Sequence, residues 1–319
     1  VGTAVDNATD SDLKTISFRY SFSGKFARIK RAAPSLRNIS SSMLSSPINR
    51  APMHLVDIGA NLAHESFGRD LDDVLARACA AGVETIVITG SCAASNETAL
   101  QLAHQHHGIY CTAGVHPHHA ETWNAALGRR IAQLAALPAV VAVGECGLDY
   151  YRDLAPRPAQ RAAFIAQLEL AIAAEKPVFL HQRDAHGDFI AILRDYRNAL
   201  RDCIVHCFTD TADALDDYLA LDCYIGITGW ICDERRGAHL LDSVRAIPDD
   251  RLLIETDSPY LLPRTLKPAP KDRRNEPAFL PWVAQTLALA RDEAVSEISE
   301  KTRANACRVF KFSNLAETL

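Results

Sequence analysis

Six residues able to bind a cation or move a proton stand at the ends of separate apolar runs: Asp57, His116, Glu145, His181, His206 and Asp257. One buried ionisable side chain in such a place is ordinarily a satisfied core group. Six in the same relation to their runs are not, because crowded carboxylates and imidazoles repel or stand unpaired unless cations hold them. Imidazole and carboxylate without Cys-x-x-Cys spacing suits a divalent hydrolytic metal rather than a structural zinc site. Such an ion lowers the pKa of bound water towards about 7 and polarises a phosphoryl or carbonyl oxygen. The set therefore predicts hydrolysis.

Chemistry shared among six distant residues needs a fold that gathers the run ends on one face. The runs span residues 55–58, 85–89, 110–116, 140–145, 178–181, 204–208, 223–228 and 252–257, and each reads as a buried strand. Between them Ala and Leu recur at helical spacing, as over 71–81, 121–136, 159–175 and 189–200. Eight strand–helix units in residues 53–319 predict one domain, an α/β TIM (β/α)8 barrel, whose active sites lie at the C-terminal ends of the strands. An open doubly wound sheet is the alternative. Against it, no strand is followed by a Gly-x-Gly-x-x-Gly or Gly-x-x-x-x-Gly-Lys loop, so neither phosphate cradle is expected.

The loops after the strands add detail. Glu145 stands between Gly144 and Gly147, an arrangement expected to let backbone approach a ligand closely. His181 and His206 each lead into a polar loop. Of the two acids closing the last strand, Asp257 is expected to point inward, with Glu255 facing the helical shell or backing a ligand. Cys146 and Cys207 adjoin these residues, but side chains of adjacent strand residues face opposite ways, which argues against thiol catalysis.

The 319 residues are 48% hydrophobic and 23% charged, proportions that exclude a disordered or fibrous chain. No window approaches eighteen uninterrupted apolar residues, so no membrane span is expected. Nine scattered cysteines suggest reduced thiols and a cytoplasmic setting. Residues 1–52 are basic and carry ten serines. They predict a disordered extension, a targeting leader or a non-native upstream segment, with Met53 the expected start. That segment holds 8 of the 34 Lys and Arg and 3 of the 39 Asp and Glu, leaving 26 against 36 over the rest. So acidic a body argues against long tracking along a duplex, which needs many phosphate contacts. A pocket for the end of one strand fits better. Arg183, Arg235, Arg236, Arg264, Lys267, Lys271, Arg273 and Arg274 follow strands and are candidate phosphate anchors, and Trp230, Tyr150, Tyr151 and Tyr260 are candidate platforms for unpaired bases.

Taken in order, several segments give a resemblance. Asp57-Ile58-Gly59-Ala60-Asn61, Gly114-Val115-His116-Pro117-His118, Gly144-Glu145-Cys146-Gly147-Leu148-Asp149, His181-Gln182-Arg183-Asp184, His206-Cys207-Phe208-Thr209, Gly226-Ile227-Thr228-Gly229-Trp230, Glu255-Thr256-Asp257-Ser258-Pro259-Tyr260 and Asn275-Glu276-Pro277 resemble the TatD family of metal-dependent deoxyribonucleases, from about Val56 to Phe310. The resemblance implies a 3′ to 5′ exonuclease on single-stranded DNA, with RNA also in range, acting in repair or degradation as a monomer. It implies Glu145, His181 and His206 as metal ligands, Asp257 as the aspartate that binds metal and orients the attacking water, and His116 in the same site. Many relatives carry Asp-x-His-x-His at the first strand, where this chain has Asp57, Gly59 and Asn61. With Gly59 and Asn61 at the two histidine positions, the Asn61 amide and the Asp57 carboxylate favour a harder cation, and Mg²⁺ is expected ahead of Mn²⁺ or Zn²⁺. The same activated water can attack a carbonyl, so an acyl hydrolase such as a D-aminoacyl-tRNA deacylase is the alternative.

Overall fold

The computed structural model describes residues 53–312. The extension expected over residues 1–52 lies outside them. Eight strands run in chain order, β1 (Leu55–Ala60), β2 (Val83–Ile88), β3 (Ile109–Ala113), β4 (Val140–Asp149), β5 (Val178–Arg183), β6 (Cys203–Val205), β7 (Tyr224–Ile227) and β8 (Leu252–Ile254). Each pairs in parallel with the next, in the spatial order β1 to β8. The ring is closed from β8 to β1 by loop backbone: Asp257 N–H donates to Gly59 O at 2.8 Å and Asn61 N–H to Ser258 O at 2.7 Å. This is the expected TIM-type barrel.

Around it lie α1 (Leu71–Ala80), α2 (Ala93–Gln105), α3 (Ala125–Ala135), α4 (Arg157–Ala173), α5 (His186–Tyr196), α6 (Ala212–Ala220), α7 (Leu240–Ser243), α8 (Leu280–Arg291) and α9 (Val295–Phe310). In α4, residues 160, 163, 164, 167, 168 and 171 are buried, a stripe at helical spacing that faces the strands. The interior is packed by Val56, Ile58, Val87, Tyr110, Phe179, Ile204, Tyr224 and Leu253, and the end of α9 joins that cluster through Phe310 and Phe312. Tyr110 and Phe312 have ring centroids 4.7 Å apart. No helix among the described residues is long and apolar enough to cross a membrane.

Strand limits differ from those expected where the backbone turns. β3, β6 and β8 stop short of His116, His206 and Asp257. Cys207 and Asp257 take positive φ of 48° and 53°, which takes the chain out of the extended conformation at each strand's end. His116 instead caps a 3-10 turn over Pro117–Thr122, its ring nitrogen accepting from His118 N–H.

Candidate metal centre

Glu145 is the hub. It projects from β4, and its Oε1 lies 2.8 Å from His181 Nδ1, 2.9 Å from His206 Nε2 and 3.4 Å from His116 Nε2. β3, β4, β5 and β6 thus bring three imidazoles to one carboxylate oxygen. Asp257 joins from the end of β8, and Asn61, following β1, donates its amide N–H to Asp257 Oδ1 at 2.9 Å.

The positions of these groups are set by neighbours the sequence did not single out. Gln167 of α4 accepts from Val115 N–H at 2.7 Å and donates to Val115 O at 3.0 Å, fixing the backbone next to His116. Gln160 accepts from Asp149 N–H at 2.8 Å. Asp149 lies four residues after Glu145 and therefore on the same strand face, and its Oδ2 is 2.8 Å from His118 Nε2 and 3.4 Å from His181 Nε2. His118 and Asp149 were legible only as the i+2 and i+4 partners of His116 and Glu145.

Glu255 takes the second of its two expected places, backing a ligand. β8 ends at Ile254 and the positive φ of Asp257 breaks the alternation, so Glu255 and Asp257 both come up against His206. Glu255 is fully buried, with Oε2 3.2 Å from His206 Nδ1 and Oε1 accepting Cys207 N–H at 2.5 Å. Gly59 and Gly226 leave the room: a Cβ there would come within 2.2 Å of Glu255 Oε2 and 2.5 Å of Oε1. The glycines around Glu145 act differently from expectation. Gly147 has φ +147° and its Cβ would strike His181 O at 1.9 Å, so it serves the close approach of β4 to β5 rather than of a ligand.

Asp57 stays apart from the cup. Its carboxylate accepts from Thr256 N–H at 2.9 Å, Thr256 Oγ–H at 2.5 Å and Gly59 N–H at 3.3 Å, binding β1 to the end of β8. Burial pushes it up to about 7, against the pull of the Thr256 bonds. Arg274 is also engaged elsewhere, 2.6 Å from Asp70 Oδ2 and 2.6 Å from Ser66 O, which corrects its expected role as a phosphate anchor. Arg183 stacks between Tyr151 and Trp230, 4.9 and 5.2 Å from the ring centroids, and Arg236 lies 4.3 Å from the Trp230 centroid on the same indole.

The carboxylates set the electrostatics of the site. Burial works against ionisation of Glu145, but His116 and His206 hold its pKa well below the usual carboxylate range. Burial opposes protonation of His206, and the Glu145 and Glu255 carboxylates overcome it, raising its pKa well above that of a free imidazole. Burial keeps His116 well below the ordinary value. Asp257 is pushed up to about 7 by burial, with Glu145 and Glu255 adding to the effect against His206. His116, Glu145 and His181 offer ligand atoms that all lie within 4.8 Å of one another. His181 Nε2 is buried and forms no hydrogen bond of good geometry, Asp149 Oδ2 standing off at 3.4 Å. A buried all-nitrogen and oxygen donor set with an unsatisfied ring nitrogen fits a divalent cation. Thiol chemistry is not supported: burial pushes the Cys207 thiol up to about 12, and Cys146 higher still.

A TIM-type barrel with an imidazole and carboxylate cup at the C-terminal rim defines the class, a metal-dependent hydrolase. The model of the TatD related DNase family matches residues 56–311, and the chain belongs to that family. It is 48% identical over 258 residues to the 3'-5' ssDNA/RNA exonuclease TatD of Erwinia tasmaniensis, covering 80% of this chain and 99% of that one. The protein of the same name from Edwardsiella piscicida is 49% identical over 261 residues, 81% of this chain and all of the other. Among solved structures, the TatD homologue YJJV of Escherichia coli K12 superposes with a TM-score of 0.75 at 27% identity, covering 81% and 98% of the two chains.

Proposed function

We propose that this protein is a metal-dependent 3′ to 5′ exonuclease that removes nucleotides from the end of single-stranded DNA and RNA. The observation that carries the reading is the meeting of three imidazoles on Glu145 Oε1, with Asp257 at the same rim. Glu145, His181 and His206 would hold the cation, with Asp257 completing the set and His116 beside them. Mg²⁺ is the ion we propose, because the hard oxygens of a phosphodiester, with the Glu145 and Asp257 carboxylates, suit a hard cation. When bound, the ion lowers the pKa of a coordinated water and polarises a phosphoryl oxygen.

The remaining steps belong to the chain's own residues. Asn61 holds one oxygen of Asp257 and so turns the other towards the attacking water. Asp257, buried at the same rim with its free oxygen on that water, would take the water's proton. Glu255 fixes the tautomer and orientation of His206 through Nδ1. Burial of Glu145, His116 and His206 limits the access of bulk water to the reacting phosphate. The Tyr151–Arg183–Trp230 row, with Tyr151 62% exposed, offers ring and guanidinium faces to the unpaired end of a strand. The protein is assigned as a cytoplasmic monomer, which sedimentation and cell fractionation would test.

The test is degradation of end-labelled single-stranded DNA and RNA, with aminoacyl-tRNA as a parallel substrate, with and without Mg²⁺, beside Asp257→Asn. Mg²⁺-dependent shortening from the 3′ end, lost in Asp257→Asn, is expected. Equal degradation by both proteins, or cleavage of the ester alone, would defeat the reading.

A further inference from the structure

Beyond the cup, the C-terminal rim carries a second concavity that the chemistry above does not use. It is a cleft of about 550 Å³ between the 3-10 turn Gly229–Cys232 after β7, the loop after β8 and the outer face of α8. That volume lies within the ordinary range of small-ligand sites. One side is apolar, formed by Leu262, Trp282 and Leu289, the last 40% exposed. The other side is basic, with Arg235, Arg264, Lys267 and Arg273 lining it.

These cations differ in how they are engaged. Asp233, buried in the wall, is satisfied by Arg236 Nε at 2.8 Å and by the backbone N–H groups of Arg235 and Arg236, with Arg264 at 3.7 Å. The side chains of Arg235, Lys267 and Arg273 are exposed and form no ion pair or hydrogen bond among the described residues. Of the two acids lining the cleft Asp233 is paired with Arg236, which leaves Glu234 against three unpaired cations and the cleft positive on a body that is acidic overall. Concentrated positive charge beside an aromatic and aliphatic wall is the chemistry of a nucleotide: phosphate on one side, base on the other.

The cleft is also connected to the cup. Arg183 stands two residues after His181, and it is followed in space by Trp230 and then Arg236. Arg236 adjoins Arg235 in sequence, and Trp230 shares its turn with Cys232 at the cleft wall. The Trp230 indole N–H is buried without an acceptor. A row of alternating rings and guanidiniums thus leads from the candidate metal centre to a basic cleft.

We infer that this cleft is a distal subsite, resting on the exonuclease reading, that seats a nucleotide of the single strand several positions away from the bond being cut. Lys267, Arg273 and Arg235 take the phosphates, and Trp282 with Leu262 and Leu289 takes the base. The subsite holds the body of a long strand while its end lies in the cup, and it gives the enzyme a preference for strands long enough to reach both.

The test is binding in EDTA, where nothing is cut, read by fluorescence anisotropy with labelled oligothymidylate of about twelve nucleotides and with the dinucleotide, over a salt series. The variant is Lys267→Ala with Arg273→Ala, two exposed side chains whose loss a thermal melt will show to be harmless to the fold. Loss of two phosphate contacts makes the slope of log affinity against log salt shallower by about 1.4 for the long strand. Affinity for the long strand should fall roughly tenfold at low salt, several times more than for the dinucleotide. An unchanged slope, an equal loss on both probes, or no binding of the long strand by the parent protein overturns the proposal. So does displacement of the long strand by a free 5′-mononucleotide as effective as by a second strand, which marks a mononucleotide site. A parent protein that binds with this slope but leaves DNA intact in Mg²⁺ defeats the nuclease reading and leaves the cleft standing. Intact degradation with an unchanged slope in the variant defeats the cleft alone.

Discussion

Replacing Gly59 by alanine should damage the site without touching any charged group. The new Cβ would lie 2.2 Å from Glu255 Oε2. Ordinary contact is nearer 3.4 Å, so something must move by about 1 Å. Glu255 has little freedom to do so, because it is fully buried and fixed by His206 Nδ1 at 3.2 Å and Cys207 N–H at 2.5 Å. A shift of that size carries the His206 contact beyond hydrogen-bond range and leaves a buried carboxylate short of one partner. Overpacking of this kind costs about 1–3 kcal/mol, and the lost charge-assisted bond about 1.5–3 kcal/mol, so the total falls in the range of about 2.5–6 kcal/mol. His206 also loses the group that orients it, which corresponds to roughly a 10- to 100-fold loss of cation affinity. Urea denaturation gives the first quantity and titration calorimetry with Mn²⁺ the second. A Gly59→Ala protein as stable as its parent and equal in cation affinity would refute the claim that these glycines exist to house Glu255.

Asp57 makes a pH prediction. Its folded pKa of about 7 lies above the unfolded value of 3.8, so the folded state holds the proton more tightly and stability falls as pH rises from about 4 to 7, by about 4 kcal/mol from this group. Subtracting the pH profile of Asp57→Asn from that of the parent should isolate this slope, and parallel profiles would contradict it. Gln167→Ala should cost about 2–4 kcal/mol, since it strips partners from both backbone groups of Val115, and cation affinity should fall with it as His116 loosens; a variant with unchanged melting and affinity would count against that clamp. Iodoacetamide should modify exposed Cys79 with no loss of nuclease activity, because of the thiols nearest the cup Cys146 is buried, Cys207 is half-buried and both are held protonated. Inactivation in step with modification of Cys207 would reverse that conclusion.

The barrel was legible because each strand is an apolar run stopped by a polar residue, and parallel strands covered on both faces look like that. The same burial hid which way single residues point. In a strand with two covered faces, alternation says nothing about inside and outside, so Asp57 looked equivalent to Glu145 although Val56 and Ile58 are the residues packed in the barrel interior. Glu255 was left between the helical shell and a place behind a ligand, because the space at Gly59 and Gly226 that admits it comes from two other strands. Long-range pairing was invisible as well. Arg274 looked like a free loop cation until Asp70, 204 residues earlier, was found against it. Local turns moved His206 and Asp257 just past their strands, yet the convergence of both on Glu145 survives that shift.

The central claim is that Glu145, His181, His206 and Asp257 together grip a cation. Anomalous scattering at the manganese edge from crystals grown with Mn²⁺ tests it most directly. The account predicts a strong peak within bonding distance of Glu145, His181 and His206, weakened in crystals of Asp257→Asn. A peak lodged elsewhere on the barrel, or none at a saturating concentration of the ion, would contradict it.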